Sequence, residues 1–477
     1  MGAANECPSL LDGRSVPGAD STAMGAAPAA TWTGQPGSPG DVRSAGSFAD
    51  EPSAGSLAAV PSAGSAAGVT AAGPNGAAPA APKVATRAVR AAIATDAEHG
   101  AVVPPLHLSA TFAFAGFGLK GAYDYTRSGN PTRDQLAAAI AELEGGAGAV
   151  VTASGMAAIT LVAHLLEPGD LLIAPHDCYG GTHRLFKALA GKQHFRVEFI
   201  DQRDPAALAD ALARRPRMVW IETPSNPLLR ITDIAATAAQ ARAAGALVVA
   251  DNTFLSPALQ RPLELGADLV VHSTTKYLNG HSDVVGGAVV ARDAALHETL
   301  VWWANCLGLT GAPFDSFLTL RGLRTLFARM ALHLENAAAA VETLRAHPAV
   351  ARVYYPGLPD HPGHEIAARQ QAGYGAMVSF ELAGGEPAVR AFVEGLTCFT
   401  LAESLGGVES LVAHPATMTH ASMDPEARRD AGITDGLLRL SIGIEDRRDL
   451  VADLEAALDR ALTASRRPRP AGAGSSP

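Results

Sequence analysis

Between residues 147 and 287 short apolar runs alternate with helical patterns, and no other feature of the chain restricts its possible folds as much. "GAVVT", "DLLIAP", "RVEFI", "RMVWIETP", "GALVVADN", "DLVVHS" and "GGAVVA" have the length and β-branched content of buried strands. "MAAITLVAHLLE", "THRLFKALA", "PAALADALARR" and "DIAATAAQARAAG" fall between them with helical spacing. This order predicts an α/β fold: a large domain with a mostly parallel sheet sandwiched by helices. A ligand of such a sheet binds outside the carboxyl ends of the strands, so polar residues that close an apolar run become the candidates for chemistry.

Around this region the texture changes. Residues 1–82 are Ala, Gly, Pro and Ser with few large apolar side chains, and are expected to be disordered. A transit peptide is the rival reading, but Asp12, Asp20, Asp41, Asp50 and Glu51 outnumber Arg14 and Arg43. Residues 83–132 run from helix-like "KVATRAVRAAIA" into the irregular "YTRSGNPTR". The sheet domain is expected over 133–330, a smaller C-terminal α+β domain over 331–465 and a loose tail over 466–477. A long helical segment, "FLTLRGLRTLFARMALHLENAAAAVETLRAH", joins the two domains.

The 477 residues are 48 % hydrophobic and carry a formal net charge of −10 with no basic cluster, which argues against nucleic acid or an anionic membrane as partner. A small molecule is the better expectation. Cys7, Cys178, Cys306 and Cys398 form no CxxC pair, so neither a zinc site nor a disulfide framework is expected and a reducing, cytoplasmic setting is. His176, His183, His414 and His420 share no spacing that would place them on one helix face, so no metal is expected.

Three strand ends carry the chemistry. Lys276 follows "DLVVHS"; burial would lower its pKa and make the amine a nucleophile, commonly toward an aldehyde. Alone it could equally be a surface lysine in a loop. Asp251 closes "GALVVADN", where it needs a cation such as a protonated pyridine nitrogen, or caps a turn. Ser154-Gly155 opens a helix, and the N–H groups of Gly155 and Met156 could hold a phosphate or merely make a tight turn. An aldehyde, a pyridinium and a phosphate are the three groups of pyridoxal 5′-phosphate. Tyr179 is placed to stack on such a ring or to pack in a Gly-Gly turn. Asn226 reads as a donor to a ring hydroxyl or as a turn former before Pro227. Arg439, inside the alternating strand "LLRLSIGIE", reads as a carboxylate site or an internal salt bridge.

"SGMAA", "SNPLLR", "VADNTF", "HSTTKYLNGHSDVVGG" and "LAESLGGVESLVAHPATMTHA" resemble the Cys/Met-metabolism family of pyridoxal-phosphate enzymes of fold type I, whose large domain has a seven-stranded, mostly parallel sheet. The resemblance implies that Lys276 carries the cofactor as a Schiff base, Asp251 pairs with its ring nitrogen and Tyr179 stacks on it. It implies that Gly155, Met156, Ser273 and Thr275 hold the phosphate, with Tyr125 and Arg127 reaching the site of a neighbouring subunit in a homotetramer built as a dimer of dimers. Arg439 would take the substrate α-carboxylate beside Asn226 and the Ser404 main chain. Glu403 marks members that work at the γ-carbon, and Arg184 would face a succinyl carboxylate. The implied reaction joins O-succinyl-L-homoserine and L-cysteine into L-cystathionine and succinate; cleavage of cystathionine at the γ-carbon and direct sulfhydrylation are the alternatives. A cofactor-binding chain without catalysis is a third reading, which the presence of Arg439, Tyr179 and Glu403 disfavours.

Overall fold

The structure, a computed structural model, describes residues 82–419, 421, 428 and 431–466. The expected N-terminal extension and loose tail, apart from Pro82 and Arg466, lie outside the described residues, as does His420. Strands β1 (Gly148–Thr152), β2 (Leu171–Pro175), β3 (Arg196–Ile200), β4 (Met218–Glu222), β5 (Leu247–Asp251), β6 (Leu269–His272) and β7 (Gly287–Ala291) form one sheet in the order β1-β7-β6-β5-β4-β2-β3. Each of the seven apolar runs contributes one strand. Pairs β2–β3, β2–β4, β4–β5 and β5–β6 are parallel, whereas β7 runs antiparallel to both of its neighbours. Its reversal has a local cause: residues 273–286, between β6 and β7, hold the turn with Lys276 and no crossover helix.

Both faces of the sheet are buried, and alternate residues divide between two apolar layers. Ile173, Val219, Ile221, Val248, Ala250, Val270 and Val290 belong to one; Leu172, Ala174, Trp220, Val249, Leu269, Val271 and Val289 belong to the other. The period of two thus decides which strand-end residues share a face.

Two sequence expectations are shortened by the structure. "KVATRAVRAAIA" is helical only over Val84–Val89, because Ala92 and Ala94 adopt φ of 54° and 58°. The long helical segment is two helices, Pro313–Leu323 and Leu326–Ala346. At the break the Gly322 carbonyl accepts from Thr325 Oγ1 at 3.0 Å and Arg329 Nη2 at 2.9 Å. Side chains there take an acceptor that a continuous helix would use itself.

The C-terminal region adds β8 (Val350–Tyr354), β9 (Met377–Leu382), β10 (Thr400–Leu401), β11 (Leu411–Ala413) and β12 (Leu437–Ser441), ordered β10-β11-β12-β9-β8. Helix Arg447–Ser465 packs against it and is tied in by Asp453, which is 5 % exposed. This carboxylate accepts from the N–H of Thr397 at 3.0 Å, Cys398 at 2.8 Å and Phe399 at 3.1 Å. Burial works to raise its pKa, but the three N–H donors hold it below the ordinary value. A depressed folded pKa means stabilisation that is present above the unfolded value and is lost as pH falls through the folded one. Asp453→Ala should therefore cost about 1–3 kcal/mol in urea unfolding at neutral pH, with the difference from wild type shrinking below about pH 4; equal unfolding midpoints at neutral pH would refute the tie.

Candidate active site

Lys276 stands in the turn after β6, with its N–H donating to the Ser273 carbonyl at 3.2 Å. Its Nζ donates to Ser404 Oγ at 2.7 Å. Burial, helped by the Arg439 charge and opposed by Glu403, lowers the amine's pKa to about 8. Ser404 itself has φ 97°, a left-handed backbone that costs a residue with a Cβ about 1–3 kcal/mol. It is held there from both ends: its hydroxyl accepts from Lys276 and its carbonyl accepts from Arg439 Nη2 at 2.9 Å. Gly406 then lets the loop pass the lysine turn, since a Cβ there would sit 2.8 Å from the Tyr277 nitrogen.

Arg439 comes from β12, where Ser379 and Ala413 flank it in register. It is 3 % exposed, and no carboxylate pairs with it among the described residues, so the internal salt bridge is not formed. Burial lowers its pKa to about 10, and the guanidinium stays charged at neutral pH. Its Nη1 donates to Asn226 Oδ1 at 2.9 Å. Because a guanidinium only donates, this contact fixes the amide and leaves Asn226 Nδ2 as the donor for a bound molecule.

Asp251 ends β5 and accepts from the Thr253 N–H at 3.0 Å, with no cation paired to it among the described residues. Opposite it in register lies Glu222, the last residue of β4, whose Oε2 accepts from the Tyr179 N–H at 2.8 Å. Burial, and then the neighbouring Asp251 carboxylate, raise the Glu222 pKa well above the usual range. Burial raises the Asp251 pKa as well, against its contacts with Thr253, so a cation bound beside this pair would be stabilised. Glu222 was not among the sequence candidates, although it closes "RMVWIE" as Asp251 closes its own run.

Helix Gly155–Ala163 begins after Ser154, whose Oγ accepts from the Ala157 N–H at 3.0 Å. Its opening N–H groups have no partner within the helix. A Cβ on Gly155 would stand 2.8 Å from that of Ser273, so the glycine is what allows β6 and this helix start to meet. The Thr275 hydroxyl donates to the Gly286 carbonyl at 3.2 Å and accepts its N–H at 3.0 Å, closing the lysine turn. Tyr179 caps helix Gly180–Gly191 with its ring 43 % exposed.

One cavity of about 560 Å³ is lined by Lys276, Asp251, Tyr179, Gly155, Met156, Ser273, Thr275, Asn226, Arg439, Ser404, Glu403 and Arg184. Glu222, Phe254 and Met418 join them. Tyr125 and Arg127 do not line it. Tyr125 is 49 % exposed, and Arg127 Nη1 donates to the Asn305 carbonyl and Oδ1 at 3.0 and 2.9 Å.

An amine of lowered pKa, a carboxylate awaiting a cation and an anion-binding helix start around one cavity fit pyridoxal 5′-phosphate, and on this sheet they define a fold type I enzyme of that cofactor. The family profile described as "Cys/Met metabolism PLP-dependent enzyme" matches residues 85–459, and the chain belongs to that family. It is 61 % identical over 374 residues to cystathionine gamma-synthase of Escherichia coli (strain K12), covering 78 % of this chain and 97 % of that protein. A cystathionine gamma-lyase of Dictyostelium discoideum is 48 % identical over 379 residues, covering 79 % and 98 %. Among solved structures, cystathionine gamma synthase of Xanthomonas oryzae pv. oryzae in complex with aminoacrylate and cysteine matches with TM-score 0.80 and 66 % identity, covering 80 % of this chain and all of that one.

The lowered Lys276 pKa has a direct consequence for cofactor loading. When pyridoxal 5′-phosphate is added to cofactor-free protein, the rate of chromophore formation should rise with pH through about 8 and level off above it. A rate still climbing at about pH 10, near an ordinary lysine value, would contradict the assignment.

Proposed function

We propose that the protein is a cystathionine gamma-synthase, which exchanges the succinyl group of O-succinyl-L-homoserine for the thiolate of L-cysteine, in transsulfuration toward methionine. The observation that carries this reading is the 61 % identity to the E. coli synthase across 97 % of its length, together with a cavity that gathers the groups the reaction needs. Arg439 binds the α-carboxylate of the ester, with Asn226 and the Ser404 carbonyl holding the guanidinium in place. Tyr179 would pack over the cofactor ring and Asp251 would pair with the ring nitrogen, while Gly155, Met156, Ser273 and Thr275 would surround the phosphate. When bound, pyridoxal 5′-phosphate provides the electron sink that lets the α-proton, and then the β-proton, be removed.

Lys276 is the base at both carbons. Its Nζ lies beside the Ser404 hydroxyl, and a pKa near neutrality suits an amine that must accept a proton and return it. Loss of the β-proton drives succinate from the γ-carbon. Lys276 holds one proton at a time, so it would pass on the α-proton before taking the β-proton; the cysteine thiolate would then add at the γ-carbon, forming the new carbon–sulfur bond, and Lys276 would return one proton to the β-carbon and then one to the α-carbon. Glu403 and Arg184 also line the cavity, and Arg184 suits the succinyl carboxylate.

Each site is completed by a second copy of the chain. Tyr125 and Arg127 leave their own cavity and reach the phosphate of a neighbour, in a homotetramer made of two dimers. Phe114, Phe117 and Leu119, all more than half exposed on the same arm, support burial against another subunit. The cytoplasm suits free thiols such as the exposed Cys306.

Cofactor-loaded protein given O-succinyl-L-homoserine, with and without cysteine, should form cystathionine only when cysteine is present and little 2-oxobutyrate with it. An untouched ester, with cystathionine cleaved to cysteine and 2-oxobutyrate, would make the chain a γ-lyase. Lys276→Ala should abolish turnover and the near-visible absorbance of the bound cofactor; full activity would sink the assignment. Arg184→Ala should raise KM for the succinyl ester by about tenfold or more relative to the acetyl ester, and equal changes would remove Arg184 from acyl recognition.

A further inference from the structure

Behind the cavity, on the opposite face of the large sheet, lies a polar cluster that the reaction described above does not use. Strand alternation puts Asp251 on the layer of Val249 and Val271, and puts Asn252 and His272 on the layer of Val248, Ala250 and Val270. Glu144, Asn252 and His272 are each 0 % exposed and Gln260 is 2 % exposed. Glu144 Oε1 contacts His272 Nε2 at 2.7 Å and accepts from Asn252 Nδ2 at 2.8 Å. Asn252 Nδ2 also donates to the Gln260 carbonyl at 2.8 Å, and Gln260 Nε2 donates to the Thr223 carbonyl at 3.0 Å. The chain of contacts therefore joins Thr223, Asn252 and His272, which directly follow Glu222, Asp251 and Val271 on three adjacent strands.

Glu144 is an unfavourable residue for its place. It ends helix Pro131–Glu144, where the helix dipole already presents negative charge, and it is fully buried. Among the described residues its Oε2 and His272 Nδ1 have no hydrogen-bond partner. An apolar core of equal volume would give a stable sheet without this arrangement.

From this geometry we propose that Glu144, His272 and Asn252 form a buried positioning network which sets the Asp251 carboxylate against the ring nitrogen of the cofactor. The inference rests on the cofactor reading given under Proposed function. Two physical effects act through the network. It locks the relative heights of β4, β5 and β6 at the residues beside Glu222, Asp251 and Ser273. It also fixes the His272 ring on the strand next to Asp251, whose pKa burial raises, the Thr253 hydroxyl and N–H lower, and His272 lowers further. An ionised Asp251 is what holds a proton on a pyridine nitrogen.

The test uses holoenzyme loaded with cofactor labelled with ¹⁵N in the ring. In His272→Gln, which keeps a donor but no charge, the ring-nitrogen chemical shift should move toward its unprotonated value. Cofactor affinity should fall by about tenfold and kcat by at least as much, with KM for the ester changed less than about threefold. Glu144→Gln should move the same signals in the same direction and serves if His272→Gln does not fold. Variants with a lowered urea midpoint but a wild-type ¹⁵N shift and wild-type kcat would overturn the inference and leave the cluster structural. Wild-type protein that holds no chromophore would instead sink the cofactor reading itself, and the inference with it.

Discussion

The site is organised around one buried cation, Arg439, which no carboxylate pairs with among the described residues. It projects from the small sheet and donates to the Asn226 amide and the Ser404 carbonyl, with the Glu403 charge acting on it in the same cavity. Desolvating a guanidinium in this way is expensive, and a bound carboxylate would offset the cost. The same contacts connect the two sheets. Asn226 follows β4 of the large sheet, and Ser404, held in a left-handed backbone, passes the link on to Lys276. Arg439 and Lys276, the groups proposed to bind the carboxylate and to move protons, are thereby mounted on one hydrogen-bonded chain.

Across the strand ends the chain distributes protons by burial and neighbour charge. Glu222 and Asp251 lie side by side in register, and burial raises the pKa of each, that of Glu222 further because the Asp251 carboxylate is beside it. Lys276 sits at the other end of the scale, where burial and Arg439 push an amine toward neutrality. Three titratable groups within one cavity are thus displaced from their ordinary ranges, each chiefly by burial, which is a common property of catalytic sites.

Much of this was legible from residue order. The seven apolar runs became the seven strands, and Lys276, Asp251 and the Gly155 helix start were singled out because each closes or follows such a run. Glu222 carries the same signal, but its effect depends on lying beside Asp251 in the sheet, which residue order does not show. The division of the long helix after Leu323 was missed because it depends on Arg329 and Thr325 competing for one carbonyl, and nothing in the period of the apolar residues records that. Arg439 offers two readings, and they separate only in space, where it donates to Asn226 and Ser404 and forms no ion pair among the described residues.

The sequence by itself determined the class of fold, through strand-length apolar runs separated by helices, and the identity of the chemical groups at the strand ends. These are local properties, set by periodicity and by the cost of placing polar atoms after buried ones. Which groups face each other was decided by the tertiary structure alone. Strand order brings Glu222 beside Asp251, and the return of the C-terminal sheet brings Arg439 and Ser404 to Lys276 across 163 and 128 positions of chain. Burial, partner and charge depend on residues that distant, so a pKa or a substrate contact has no signature until the chain is folded.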